Sequence, residues 1–198
     1  MSKKCREASK SNQRLQANQR KSLKHGEVLE NFNILKEMIK FDGTTSEVQA
    51  ADLDWLIIRG DLLREIFEGL RAYLGRGANI AIKAPGKTSG KRFFASLLNR
   101  NMELKEIVIV LNLLINEGGW GKSEITVDYE GKKATVTLQN CITARKTRST
   151  EPSCTFLTGY FEGFFEKLFN KETQCIETAC IAKGDAVCEF QITPKNMA

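Results

Sequence analysis

The chain has 198 residues, of which 41% are hydrophobic and 27% charged, with a net charge of +6 and six cysteines. That length suits one domain with an appendage, and the apolar share is enough for a core. No run reaches eighteen apolar residues and no signal-peptide stretch is visible, which excludes a membrane-spanning helix. The expectation is a cytoplasmic protein, where cysteines serve as thiols or metal ligands sooner than as disulfides.

Charge is uneven along the chain. Residues 1–26 hold eight Lys or Arg against one acid, Glu7, while the rest sums to −1. These residues read as a basic, solvated arm with almost nothing to pack. Contact with nucleic acid is the functional alternative for such a run. From Glu27, residues Leu29, Phe32, Leu35, Met38 and Ile39 recur at helical spacing and Gly43 stops them, so residues 27–54 read as a helix and a polar loop. Trp55 to Ile58 is too short to assign by period. Past Gly60, Leu62, Leu63, Ile66, Phe67, Leu70, Tyr73 and Leu74 form an apolar helix face that Gly75 and Gly77 end.

Ala78 to Lys83 alternates like a strand, with Pro85-Gly86 as its break. A helix bearing Phe93, Phe94, Leu97 and Leu98 follows, then another from about Glu103 to Asn116. Ile125, Val127 and Tyr129, then Ala134, Val136 and Leu138, alternate about Gly131 and predict an antiparallel hairpin. A basic loop at Arg145 to Arg148 leads to an aromatic-rich helix opened by Cys154 and a last hairpin turning at Gly184-Asp185. This order is α+β, with helices packed against an antiparallel sheet, and residues 55–198 read as the main domain.

Motifs for catalysis are sparse. KAPGKTSGK at 83–91 fails the phosphate-loop count, because Ala81 stands where the leading glycine belongs and Arg92 where Ser or Thr should follow Lys91. The one histidine, His25, lies in the arm, so a nucleophile has no histidine base in the domain. Nothing indicates an enzyme. The cysteines carry more. If the start of the last helix folds over the last hairpin, Cys154, Glu177, Cys180 and Cys188 converge into a tetrahedral cage suited to zinc. Glu177 and Cys180 differ in strand parity, so both face one ion only if the strand bulges or ends there. Spacing alone leaves open the alternative of plain buried thiols.

Cys154-x4-Gly159-Tyr160-x2-Gly163-Phe164, then Glu177-x2-Cys180-x3-Gly184-Asp185-x2-Cys188-x-Phe190, resembles the ending of the 4-vinyl reductase (4VR) domain family. Gly86-x3-Gly90-x2-Phe93 and Gly119-Trp120-Gly121 extend the likeness to about residues 56–193. The resemblance implies a structural zinc held by Cys154, Glu177, Cys180 and Cys188, as in the phenol-responsive bacterial activators that carry this domain. It implies a dimeric fold related to vesicle-tethering subunits, with a small-molecule pocket between helices and sheet. The histidine those sensors use in their pocket has no counterpart after His25, so the ligand's identity does not carry over. Cys141 and Cys175 fall outside the implied zinc set.

The leading expectation is therefore a sensor or regulatory module that binds a small hydrophobic or aromatic ligand, with Trp120, Phe161, Phe164 and Phe165 as candidate pocket walls. A homodimer and a regulatory protein partner belong to the same expectation. The alternatives are a thiol redox sensor and an accessory protein or enzyme of tetrapyrrole metabolism.

Overall fold

The computed structural model describes residues 39–45, 47–50, 52–56 and 58–195. The basic arm, His25 and the helical pattern from Leu29 to Met38 lie outside these residues. The described chain starts with a three-stranded antiparallel sheet, β1 (Ile39–Asp42), β2 (Glu47–Ala50) and β3 (Leu53–Trp55). Ile39 is therefore in a strand and not at the end of a helix, and 44–54 holds two short strands in place of the expected loop. The turns explain why. Asp42 Oδ1 accepts the N–H of Thr44 and Thr45 (2.7 and 3.2 Å), and Asp52 takes a left-handed φ of 58°. Strands of three or four residues joined by such turns carry too few alternations to register as a period.

Next comes α1 (Gly60–Leu74), whose Leu63, Phe67 and Leu70 pack inward. It ends at Gly75, where φ is 54° and the N–H returns to the Arg71 carbonyl. After one 3-10 turn, α2 runs unbroken from Ala78 to Leu98. The strand expected at Ala78–Lys83 is instead the first turns of this helix. Ala78, Ile82, Gly86, Gly90, Phe93 and Leu97 form one buried stripe at helical spacing, which a six-residue window cannot reveal. Pro85 lies on the exposed side of α2, where the carbonyl it leaves unbonded can meet water.

Then α3 (Leu104–Glu117) begins with the Glu103 N–H bonded to Glu106 Oε2 at 2.8 Å. The second sheet follows: β4 (Lys122–Asp128), β5 (Lys133–Gln139), then, after α4 (Thr155–Leu168), β6 (Thr173–Ala179) and β7 (Cys188–Pro194). Its order is β4-β5-β7-β6, antiparallel throughout. Ile125, Val136, Leu138, Phe190 and Ile192 point from this sheet into one core with α3 and α4. The α+β architecture expected from the pattern is the one observed.

Helices α2 and α4 meet along their glycines. A Cβ on Gly86 or Gly90 would overlap the carbonyls of Phe156 and Tyr160, and one on Gly159 or Gly163 those of Lys83 and Lys87. Backbone therefore lies on backbone, which is what the paired G-x3-G spacings accomplish. Beside this seam runs a ladder of ion pairs: Lys83 and Lys87 to Glu162 (2.8 and 2.9 Å), Lys87 to Glu166 (2.8 Å), and Lys91 to Glu166. The lysines of the supposed phosphate loop thus bind carboxylates of the neighbouring helix.

Candidate functional site

Two features meet at the start of α4. The first is the cage. Cys154 is the residue before α4, and its N–H donates to Glu177 Oε2 at 2.9 Å, tying the helix entrance to β6. On β6 the pairing with β7 slips between Glu177 and Ala179, and the strand then ends. This irregularity removes the parity conflict between Glu177 and Cys180. Cys180, still extended, enters a 3-10 turn over Ile181–Lys183 that Gly184 closes at φ 104°. The turn is pinned by the Cys180 N–H to Asp185 Oδ2 at 2.7 Å, and Cys188 opens β7 on its far side.

One donor atom from each of Cys154, Glu177, Cys180 and Cys188 lies within 4.8 Å of the other three. The Cys154 and Cys188 sulfurs are 3.7 Å apart. A tetrahedron with sulfur arms of about 2.3 Å has edges of about 3.8 Å, so this separation already suits a metal. Backbone N–H groups point at two of the sulfurs, Ser153 to Cys180 (3.5 Å) and Ile181 to Cys188 (3.4 Å), which favours the thiolate forms. Glu177 Oε1 is buried and has no hydrogen-bond partner among the described residues. A buried carboxylate oxygen beside three sulfurs, with its lone pairs uncommitted, fits the role of a cation ligand.

The titration behaviour agrees. Burial, then the Cys180 thiol, pushes the Glu177 carboxyl up to about 8. The thiols of Cys154 and Cys188 donate to Cys180 and hold it far below the ordinary thiol range. The Cys141 sulfur, first among several neighbours, pushes Cys154 and Cys188 above that range. So many acids cannot all ionise in a dry cage unless a cation shares it. These residues are a cluster fit to hold a metal ion.

Cys141 and Cys175 separate clearly. The Cys141 sulfur lies 3.7 Å from Cys154 Sγ and 3.2 Å from Thr143 Oγ1, at the edge of the cage. Cys175 sits apart in the core, where burial pushes its thiol well up and away from the reactive thiolate.

The second feature is a cavity of about 210 Å³ between β3, α2, α3 and the first turns of α4. Trp55, Phe93, Trp120, Phe156 and Tyr160 make its aromatic wall, with Asp54 and Ser89 as polar groups. Trp120 stacks on Phe156, centroids 5.8 Å apart and planes within 9°. Burial pushes the Tyr160 phenol far up, so it stays protonated. The structure places Trp120 on the cavity, but Phe161, Phe164 and Phe165 are wholly buried in the core and off its lining. Phe161 packs on Phe190 at 5.0 Å and Phe165 on Phe169 at 5.7 Å. The reason is helical phase. The 157/161/164/165/168 face of α4 meets the main core, while Phe156 and Tyr160, four residues apart, form a second face. Aromatics that continue beyond one stripe of a helix are the sequence signal for that second face. Trp55, from the small sheet, leaves no such signal.

Cage and cavity share a frame. Cys154, Phe156, Leu157 and Tyr160 occupy consecutive turns of one helix entrance. The Trp120 carbonyl accepts the Ile142 N–H at 2.8 Å, holding the cavity wall to the Cys141 loop.

Comparisons with known proteins agree with this picture. Residues 134–194, which contain all four cage residues, match the vinyl-4-reductase (4VR) domain. An uncharacterized protein of Methanocaldococcus jannaschii is 27% identical over 101 residues, 50% of this chain and 60% of its own length. The chain thus spans about 60% of that relative's length. The phenol-responsive sensory domain of the transcription activator PoxR, solved with phenol, superposes with a TM-score of 0.73 at 14% identity, over 84% of this chain and 90% of that one. A trafficking protein particle complex subunit 3 from Naegleria fowleri, covalently bound to palmitic acid, gives 0.50 at 12% identity, over 69% and 95%. At these identities the likeness is one of fold, and it is the fold of a ligand-sensing domain.

Proposed function

We propose that this chain, with its 4VR segment over residues 134–194, is a non-enzymatic sensor or regulatory domain for a small hydrophobic or aromatic ligand, in which a zinc site clamps the entrance of α4. The observation that carries this reading is the placement of a four-donor cage and an aromatic cavity on successive turns of one helix. Cys154, Glu177, Cys180 and Cys188 would hold the ion, which supplies a cross-link between α4 and the β6–β7 turn. The chain's own residues do the rest. Phe156 and Tyr160 are presented to the ligand only while the helix entrance stays ordered. Their aromatic faces, with Trp55, Phe93 and Trp120, offer stacking surfaces. Asp54 and Ser89 offer hydrogen bonds to a single polar group.

Cavity size limits the ligand. Sites for drug-sized molecules run from about 300 Å³ upward. An apolar cavity of about 150 Å³ is enough for benzene. A molecule of one or two rings with one hydroxyl is the class that fits.

The reading extends to a homodimer in the cytoplasm, acting on a regulatory protein partner. Leu62, Ile66 and Tyr73 leave an apolar stripe of α1 in solvent, with Ile80 of α2 nearby, and such a stripe favours self-association. No helix of the described residues is long and apolar enough to cross a membrane.

Native mass spectrometry of protein purified without added metal, paired with thermal shifts against a panel of phenols, tests the reading. One zinc per chain and stabilisation by one-ring or two-ring phenols are expected. Metal-free protein at full folding, with no response to the panel, would overturn it.

A further inference from the structure

The family motif stops at four ligands, yet the fold delivers a fifth sulfur to the same place. Cys141 comes from the segment between β5 and α4, thirteen residues before Cys154, and is wholly buried. Its sulfur lies 3.7 Å from Cys154 Sγ, the same separation as Cys154 to Cys188. The Cys188 sulfur also acts directly on the Cys141 thiol. Cys141 therefore sits against the Cys154–Cys188 edge of the cage at ligand spacing. Its backbone is held firmly: its carbonyl accepts the N–H of Ala144 and Arg145 at 3.1 and 2.8 Å. Outside the cage, its thiol meets the hydroxyl of Thr143, a weak partner that a metal bond would displace.

Resting on the metal reading above, we infer that Cys141 is a reserve ligand, able to replace Glu177 and convert a three-sulfur, one-oxygen donor set into a four-sulfur set, so that the centre accepts thiophilic ions such as cadmium as well as zinc. The exchange breaks one metal–oxygen bond and forms one metal–sulfur bond. The thiol proton passes to solvent and no electrons move. Glu177 is the ligand suited to leave. It is part exposed while the cysteines are buried, and its Oε2 keeps the Cys154 N–H as a partner once the ion is gone. Softness sets the direction: a thiophilic ion gains by trading a carboxylate oxygen for a thiolate, and zinc accepts either set.

The test loads the full chain with cadmium-113 and, separately, with cobalt(II), in wild type, Cys141→Ser, Glu177→Ala and the double variant. The cadmium resonance should lie at the four-sulfur position in wild type and move upfield to a three-sulfur position in Cys141→Ser. In the cobalt form of Glu177→Ala, sulfur-to-cobalt charge-transfer intensity should rise by about one third, as three sulfurs become four, and fall back in the double variant. Cadmium affinity should drop at least about tenfold from Glu177→Ala to the double variant, the loss expected when a ligand shell is left incomplete. If Glu177→Ala fails to fold, the wild type and Cys141→Ser decide alone. Identical cadmium resonances with and without Cys141 would overturn the inference and leave the metal reading standing. Failure of the wild type to bind either ion would remove both.

Discussion

The cage and the cavity sit on the same helix entrance and are built in opposite ways. The cage gathers polar donors from two nearby segments, Cys154 and the Glu177–Cys188 hairpin, and leaves one carboxylate oxygen unpaired. The cavity gathers apolar walls from β3, α2, α3 and α4, and no single segment supplies more than a few of them. A donor cage depends on a partner it must bind, whereas an aromatic wall is held by its neighbours whether or not a ligand is present. The difference shows where loss of one residue should be catastrophic and where it should be graded.

Removing the ion should have the largest effect. Chelation, or Cys180→Ser, deletes a cross-link worth on the order of 10 kcal/mol of apparent folding free energy. Residues 173–195 should become open to protease and phenol stabilisation should vanish with them. Full protease resistance in the metal-free protein would show that the cage does not support the cavity.

The glycine seam comes next, because it carries α4 for both features. Gly163→Leu forces a side chain into the Lys87 carbonyl and should cost at least about 3 kcal/mol in urea unfolding, with zinc content and ligand response falling together. Zinc retained at full occupancy in an otherwise loosened variant would uncouple the two regions.

The third comparison lies within the aromatics. Phe161→Ala empties a wholly buried core site and should cost about 3–5 kcal/mol. Trp120→Ala, on the cavity wall, should cost less stability but about tenfold in affinity for a one-ring phenol, or about 1.4 kcal/mol, with zinc unchanged. If Phe161→Ala affects binding more than folding, the cavity has been drawn in the wrong place.

The smallest effect belongs to the ion-pair ladder. Burial raises the Glu162 carboxyl, but the bonds from Lys83 and Lys87 outweigh it and hold the group below its ordinary 4.5. A carboxylate depressed by folding contributes stability above its unfolded value, and that contribution is lost as pH falls through the folded value. Melting of the wild type should therefore fall more steeply than that of Glu162→Gln below about pH 4.5. The part-exposed lysines limit the difference to about 1–2 kcal/mol. Parallel acid limbs in the two proteins would assign the ladder no net role.

How much can be read in advance follows from the same contrast. The β4–β5 hairpin, α3, α4 and the last hairpin are legible because each is long enough to show its period. The four cage residues become legible through a spacing motif, since ligands close in sequence leave a local signature. Ala78–Lys83 misleads because six alternating residues fit a strand and the first turns of a buried helix equally well. The small sheet escapes notice because its strands are three or four residues long. Cys141 falls outside the motif because the β5–α4 loop, and not a spacing, brings it to the cage.

By itself, then, the sequence determined the α+β class, the α4 and hairpin elements, and a donor set whose members lie near one another along the chain. These depend on periodicity and short-range spacing, which linear order preserves. Only the tertiary structure decided the rest. It showed which face of α4 meets the core and which meets the cavity, and that the lysines of 83–91 pair with Glu162 and Glu166. It also set Trp55 and Trp120 on one cavity and a fifth sulfur beside the cage. Each of these joins residues distant in the chain, and such joins are fixed by how helices and sheets pack.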